Sequence, residues 1–186
     1  MTANRNRVRI IAGRYRRRLL SFPDADGLRP TPDRVRETLF NWLGQELDGL
    51  SCLDLFAGSG ALGFEAASRG ARRVVMVEKG KAPLMALKAN RLELGADEIE
   101  VVAMDALMYL KSCRDRFDVI LLDPPFDADL LPVLLPLARP RLAEGGYLYI
   151  EGRSLPDLSG WQVERQGKAG VVHYALLRVV VDTGPI

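Results

Sequence analysis

From residue 51 onward the chain alternates between short apolar runs of strand length and longer stretches with helical periodicity. That alternation limits its fold more than any other feature. Residues 52–56, 73–77, 99–103, 117–122 and 147–151 read as strands, and residues 61–68, 81–94, 106–111 and 130–139 read as the helices between them. A strand–helix–strand unit returns the chain to the same end of the sheet before the next strand begins, so the strands pair in parallel with right-handed crossovers. Helices then cover both faces, which predicts an α/β, doubly wound, Rossmann-like sheet. Two further β runs, 161–165 and 171–181, follow with no comparable helix between them. They predict a closing hairpin that adds one antiparallel strand to a seven-stranded, mostly parallel sheet. A chain of 186 residues accommodates this as one domain with a small extension.

The extension is legible in the first fifty residues. Residues 7–11 alternate like a strand, and Gly13 turns the chain toward 16–20, predicting a small β-hairpin. Residues 21–29, rich in Pro, Asp and Gly, read as loop. Thr31 is expected to cap a helix with Pro32 in its first position. Val35, Leu39, Trp42, Leu43 and Leu47 then form one apolar face, with Arg34 and Arg36 near the helix start and away from it. The expected organisation is a basic arm and hairpin over residues 1–30, followed by one unit over 31–186 that includes the leading helix.

The apolar run 119–122 stops at Asp123-Pro124-Pro125-Phe126. Proline has no N–H, so the carbonyls of this turn stay free to accept hydrogen bonds from elsewhere. A carboxylate and free carbonyls beside an aromatic ring suit a planar base that carries an exocyclic amino group. The turn reads as a nucleobase clamp.

A second turn runs from residue 53 to 63 and spells GxGxxG with Gly58, Gly60 and Gly63, with Glu78 at the end of the following strand. These are also the marks of a dinucleotide site, so a nicotinamide-dependent oxidoreductase competes. Three features oppose it. Asp54, four residues before the first glycine, repels a pyrophosphate but suits a cationic ligand. The chain is too short for a separate substrate domain. Hydride transfer has no use for the Asp-Pro-Pro-Phe turn. S-adenosylmethionine (SAM) fits all three: glycines let the backbone approach its methionine part, Glu78 suits the ribose hydroxyls, and Asp105 with Ala106 suit the adenine. Phe56 borders this turn and belongs to the cofactor set, although its apolar setting also reads as core. Asp105 reads equally as a helix N-cap. His173, Tyr109, Trp42 and Trp161 are expected to be structural. Cys52 and Cys113 form no paired motif, so no disulfide framework or metal site is expected.

Charge is unevenly distributed. Residues 1–36 hold ten arginines against Asp24, Asp26 and Asp33, while the rest holds 16 basic and 21 acidic residues. Arginine favours bidentate phosphate contacts and base stacking, so an arginine-dense arm on a mildly acidic body predicts a nucleic-acid partner. Arg16, Arg17, Arg18, Arg34 and Arg36 are the expected contacts to that nucleic acid, RNA or DNA. No apolar run reaches membrane-spanning length and no secretory segment leads the chain, so a cytoplasmic protein is expected.

Residues 9–13, the block 28–43 (Leu-Arg-Pro-Thr-Pro-Asp-Arg-Val-Arg-Glu-Thr-Leu-Phe-Asn-Trp-Leu), residues 53–63 and residues 123–126 together resemble the bacterial ribosomal RNA guanine-N2 methyltransferases. Those enzymes modify a single guanine of the small-subunit (16S) RNA. The resemblance spans nearly the whole chain, and the 28–43 block is its most specific part. Ala12, and Gly152 after Glu151, depart from the usual glycine and serine. The resemblance implies a class I SAM-dependent methyltransferase acting as a monomer on 16S rRNA within a small-subunit assembly particle, with no membrane partner. Asp123, Pro124 and Phe126 would be its catalytic set. An adenine-N6 methyltransferase shares the same clamp logic and is the nearest alternative. A non-catalytic RNA-binding assembly factor is a further one, opposed by the intact set of Asp54, Glu78 and Asp123.

Overall fold

The structure, a computed structural model, describes residues 5–25, 28–126 and 129–180. An N-terminal hairpin pairs β1 (Arg5–Arg9) with β2 (Leu19–Pro23), and α1 (Asp33–Trp42) follows. Then come β3 (Ser51–Asp54), α2 (Ala61–Ser68), β4 (Arg73–Glu78), α3 (Lys81–Leu94), β5 (Ile99–Ala103), α4 (Ala106–Ser112), β6 (Phe117–Leu122) and α5 (Leu131–Ala138). The chain closes with β7 (Leu142–Gly152), β8 (Trp161–Ala169) and β9 (Val172–Val179). The seven later strands form one sheet in the order β5-β4-β3-β6-β7-β9-β8. β3 through β7 pair in parallel, and β9 is antiparallel to both of its neighbours. The strand order reverses beside β3, so the chain turns between β3 and β6 leave a crevice at their carboxyl ends.

The core follows from strand periodicity. On one face Cys52, Val74, Met76, Val119, Leu121 and Tyr149 pack with α1, α2, the hairpin and Leu87 of α3. Their chain neighbours Leu53, Val75, Val77, Ile120, Leu122, Leu148 and Ile150 face the other way, against α4 and α5. All eight residues of α2 are buried, because the hairpin lies on the side of that helix that the sheet leaves uncovered. Gly13 is required there. Its φ is +81°, and a Cβ would sit 1.8 Å from the Ser68 carbonyl oxygen.

Two local expectations need correction. The second hairpin strand begins at Leu19 rather than 16, because Arg16 and Arg18 donate their amides to the Gly13 and Tyr15 carbonyls in a turn, with Arg17 at φ 70°. Thr31 does not cap α1: Pro32 occupies the cap position with no side-chain hydrogen bond, and the helix starts at Asp33. The end of the last predicted β run, Val181, lies outside the described residues. Trp42 packs its ring 5.4 Å from that of Tyr174, and Tyr109 and Trp161 pack against the second cluster. His173 pairs across the sheet with Gly152 and Lys168.

Candidate active site

Each of the five parallel strands delivers one acid at its carboxyl end. In spatial order these are Asp105 after β5, Glu78 on β4, Asp54 on β3, Asp123 after β6 and Glu151 on β7. A row of this kind suits a cationic ligand and opposes a pyrophosphate.

The glycine turn is built against this row. Asp54 is 1% exposed and accepts the Gly63 amide at 3.0 Å, which ties the end of β3 to the first turn of α2. Burial, and then the nearby Asp123 charge, raise its pKa to about 7. Asp54 therefore lies beneath the turn rather than in the open crevice, where it could reach a ligand only through its field. Gly58 and Gly60 have φ of +50° and +83°; a Cβ at Gly60 would meet Phe64 and Leu87 inside 3 Å. Gly63 packs where a Cβ would meet Met76 at 2.9 Å, so it sets the close approach of helix and sheet. Phe56 is half-buried against the second core cluster.

Glu78 holds the turn from the side. Its two oxygens accept the Gly58 amide at 3.0 Å and the Gly80 amide at 2.6 Å. Each oxygen keeps a lone pair, so the carboxylate can accept from a ribose diol while staying anchored. Asp105 is the N-cap of α4: one oxygen accepts from Leu107 at 2.9 Å and Met108 at 3.2 Å, and the other lies 3.9 Å from Lys79. Ala106 is buried behind it. The donor set fits the adenosyl and cationic parts of SAM, with Glu78 and Asp105 offering acceptors and Asp54 the field.

Beside this turn, just past the end of the neighbouring strand β6, stands Asp123. It is half-buried, and its Oδ2 accepts a hydrogen bond from the Thr31 hydroxyl at 3.2 Å. Burial raises its pKa to about 6, while the Thr31 bond works the other way. Pro124 is buried and Phe126 is 42% exposed, with the Arg153 guanidinium 6.0 Å from its ring centroid. Glu151, 2% exposed, accepts from the Tyr149 hydroxyl at 3.3 Å. Burial and the Asp123 charge raise the Glu151 pKa to about 8. Sequence reasoning assigned no site role to Thr31 or Glu151. Thr31 reads as a helix cap, and only the fold brings it to a residue 92 positions away. Glu151 was legible as the fifth member of the strand-end series.

The arginines divide into three groups. Arg36 is fully buried, which corrects the expectation that it contacts RNA. It donates to the Thr31 carbonyl at 3.1 Å and the Arg9 carbonyl at 3.0 Å, and pairs with Glu65 at 3.5 Å and with Asp33. Glu65, also buried, accepts the Ile11 and Ala12 amides and pairs with Arg69 at 2.8 Å. The missed signal is periodicity: Arg36 lies one position from Val35 and three from Leu39, on the buried side of α1. Arg16, Arg17 and Arg18 are exposed but sit far from the crevice. Arg14 and Tyr15 bind Ser68 at the far end of α2, and Arg18 lies 3.7 Å from Glu93 at the far end of α3. At 1.5 Å per residue these helices separate the turn from the acid row by roughly 12–20 Å. Arg34, exposed beside Thr31, is on the near side. So are Arg7 and Arg29, which line a groove of about 460 Å³ with Asn6, Phe22 and Leu28. Leu28 reaches the glycine turn: its Cδ1 lies 2.9 Å from where a Gly58 Cβ would be.

The family profile described as conserved hypothetical protein 95 matches residues 8–178. The chain is 41% identical to ribosomal RNA small subunit methyltransferase D of Escherichia coli K12, over 91% of this chain and 88% of that one. It is 40% identical to the protein of the same name from Haemophilus influenzae, over 91% and 92%. The solved structure of the Escherichia coli protein yhhF superposes with a TM-score of 0.84 at 38% identity, covering 94% of this chain and 98% of that one. The chain belongs to this family, that of the ribosomal RNA small subunit methyltransferase D proteins.

Proposed function

We propose that this member of the family is a SAM-dependent methyltransferase that modifies the exocyclic N2 of one guanine in 16S small-subunit ribosomal RNA. It works in the cytoplasm as a monomer, on RNA already gathered into an assembling small-subunit particle. The observation that carries the reading is the Asp123–Pro124 turn standing on the strand next to the glycine turn, within the field of Asp54. Adjacent strands are about 4.8 Å apart, so a base held at one turn lies against a ligand held at the other. The row of acids argues against a nicotinamide dinucleotide. Among the described residues, no helix is long and apolar enough to cross a membrane.

Bound SAM supplies an electrophilic methyl group on a sulfonium sulfur; the chain supplies position and charge. Glu78 would hold the ribose, Asp105 and Ala106 the adenine, and the Gly58–Gly60 turn the methionine part. The amino nitrogen of guanine is a weak nucleophile because its lone pair is delocalised into the ring. Ionised Asp123 and the Pro124 carbonyl would accept its two N–H bonds and turn the lone pair toward the methyl. Phe126, exposed at the mouth, would stack on the base and fix its plane. Orientation of this kind is worth roughly 7–11 kcal/mol of the barrier. The Asp123 carboxylate offsets the positive charge that grows on nitrogen and is placed to take its proton.

The target base must leave its stack to reach this crevice, which favours unpaired RNA. Arg7, Arg29 and Arg34 are placed for phosphates next to the target, and Arg16–Arg18 for RNA farther away. The experiment is incubation with labelled SAM, using naked 16S rRNA and small-subunit particles, followed by mapping of the methylated nucleotide. Methylation at guanine N2 that is abolished in Asp123→Ala, with SAM still bound, is the expected result. Label on adenine N6, or loss of SAM binding in that variant, would overturn the assignment. Arg7→Ala/Arg29→Ala is expected to reduce the salt dependence of RNA binding, with the slope falling by about 0.7–0.9 for each phosphate that the protein no longer neutralises.

A further inference from the structure

Asp123 stands where a carboxylate is hard to steady. Carboxylates at turns commonly accept amide N–H groups from the next residues, but positions 124 and 125 are prolines and have none to give. Burial raises the Asp123 pKa to about 6, and its charge is felt by Asp54 on β3 and by Tyr149 and Glu151 on β7. Among the described residues, the side-chain donor that reaches Asp123 comes from outside the sheet. Thr31, 6% exposed, gives its hydroxyl to Asp123 Oδ2 at 3.2 Å.

Thr31 is itself held on three sides. Pro30 and Pro32 flank it in sequence, and a following proline confines its backbone to extended conformations. Its carbonyl accepts the Arg36 Nε at 3.1 Å, and the same guanidinium is fixed by the Arg9 carbonyl, Glu65 and Asp33. A threonine that merely caps a helix would bond its own helix amides, and Thr31 does not.

We propose that Thr31 is a positioning residue for the methyl-transfer step: its hydroxyl fixes the Asp123 carboxylate through Oδ2 and leaves Oδ1 for the guanine amino group. The Arg36–Glu65 cluster, which also binds the Ile11 and Ala12 amides, holds Thr31 in place, so the N-terminal segment sets the geometry of the acceptor. This inference rests on Asp123 being the acceptor of the target amine. No bond to Thr31 itself is made or broken.

The test compares Thr31→Val, which keeps the shape and removes the hydroxyl, with Thr31→Ser, which keeps the hydroxyl. Two readouts are needed. The first is steady-state methyl transfer to 16S rRNA over a range of pH. The second is titration of the Asp123 carboxyl in the SAM-free protein by carbon-13 NMR, assigned with Asp123→Asn. Thr31→Val is expected to lower kcat about 10- to 100-fold, the span of a hydrogen bond to a charged group, with KM for SAM within about twofold of wild type. The carboxyl should titrate above its wild-type value of about 6, because the missing bond favoured the charged form, and the acid limb of the rate profile should move up with it. Thr31→Ser should restore both. Wild-type kcat and an unmoved Asp123 titration in Thr31→Val would overturn the inference, as would a Thr31→Ser variant as impaired as Thr31→Val. Wild-type protein that methylates no ribosomal RNA would sink the proposed function instead, and the carboxyl titration alone would then decide whether Thr31 controls Asp123.

Discussion

Replacing Arg36 by Met separates a structural arginine from an RNA-binding one. The side chain is fully buried, and its guanidinium serves the Thr31 and Arg9 carbonyls, Glu65 and Asp33. Methionine fills much of the same volume but leaves two carbonyls without their donor, at about 1–3 kcal/mol for each buried group. Breaking a buried ion pair by removing one partner costs about 3–5 kcal/mol. Here the Glu65 charge keeps Arg69 and two amides, so that cost is reduced. Taken with a reduced ion-pair cost, the combined loss is about 3–7 kcal/mol. At about 2–4 °C per kcal/mol for a chain of this size, Tm should fall by roughly 6–28 °C. Arg34→Met, two positions earlier and exposed, should shift Tm by no more than about 2 °C. Thermal and urea unfolding, followed by circular dichroism, measure both, and RNA affinity is compared on protein that remains folded. An Arg36→Met protein with wild-type Tm and weakened RNA binding would refute the reasoning and return Arg36 to the interface.

Three other outcomes are expected. Asp54 is raised to about 7 in the folded state against an ordinary carboxyl value near 4, so its contribution to stability is present below about pH 4 and is lost as pH rises through about 7. Urea midpoints should therefore fall over that range, and Asp54→Asn, which can still accept the Gly63 amide, should flatten the decline; an equal slope in both proteins would contradict the burial. Gly13→Ala places a Cβ against the Ser68 carbonyl at a positive φ and should cost about 2 kcal/mol or more, with faster tryptic cleavage in the Arg14–Arg18 turn. Wild-type proteolysis would show that the hairpin does not depend on this close approach. Phe126→Ala removes a ring that is 42% exposed, so Tm should change little, while methyl transfer to RNA falls about tenfold or more because the base no longer stacks. A stability loss with unchanged transfer would make Phe126 a packing residue.

Much of the fold is readable in the order of residues, because parallel strands buried on both faces leave near-continuous apolar runs and their crossover helices leave a 3.6-residue period. The seven strands, the single antiparallel member and the acids at positions 54, 78, 105 and 123 all fall where those patterns put them. Local chemistry also marked the Asp-Pro-Pro-Phe turn, since two missing amides are a property of the residues themselves. What periodicity missed were side chains whose partners are remote. Thr31 has the sequence of a helix cap, yet bonds the carboxylate that follows β6. Arg36 carries a charge that composition sends to the surface, yet the hairpin and α2 enclose it with Glu65.

The chain's own order of residues thus determined which elements form, their pairing direction and which chemical groups end each strand, because these depend on neighbours within a few positions. Tertiary structure alone decided which of the described N-terminal arginines face solvent near the crevice, which are distant and which is interior. It also decided that residue 31 meets residue 123, since burial and long-range hydrogen bonds exist only once the hairpin has closed over α2 and brought its polar groups against the sheet.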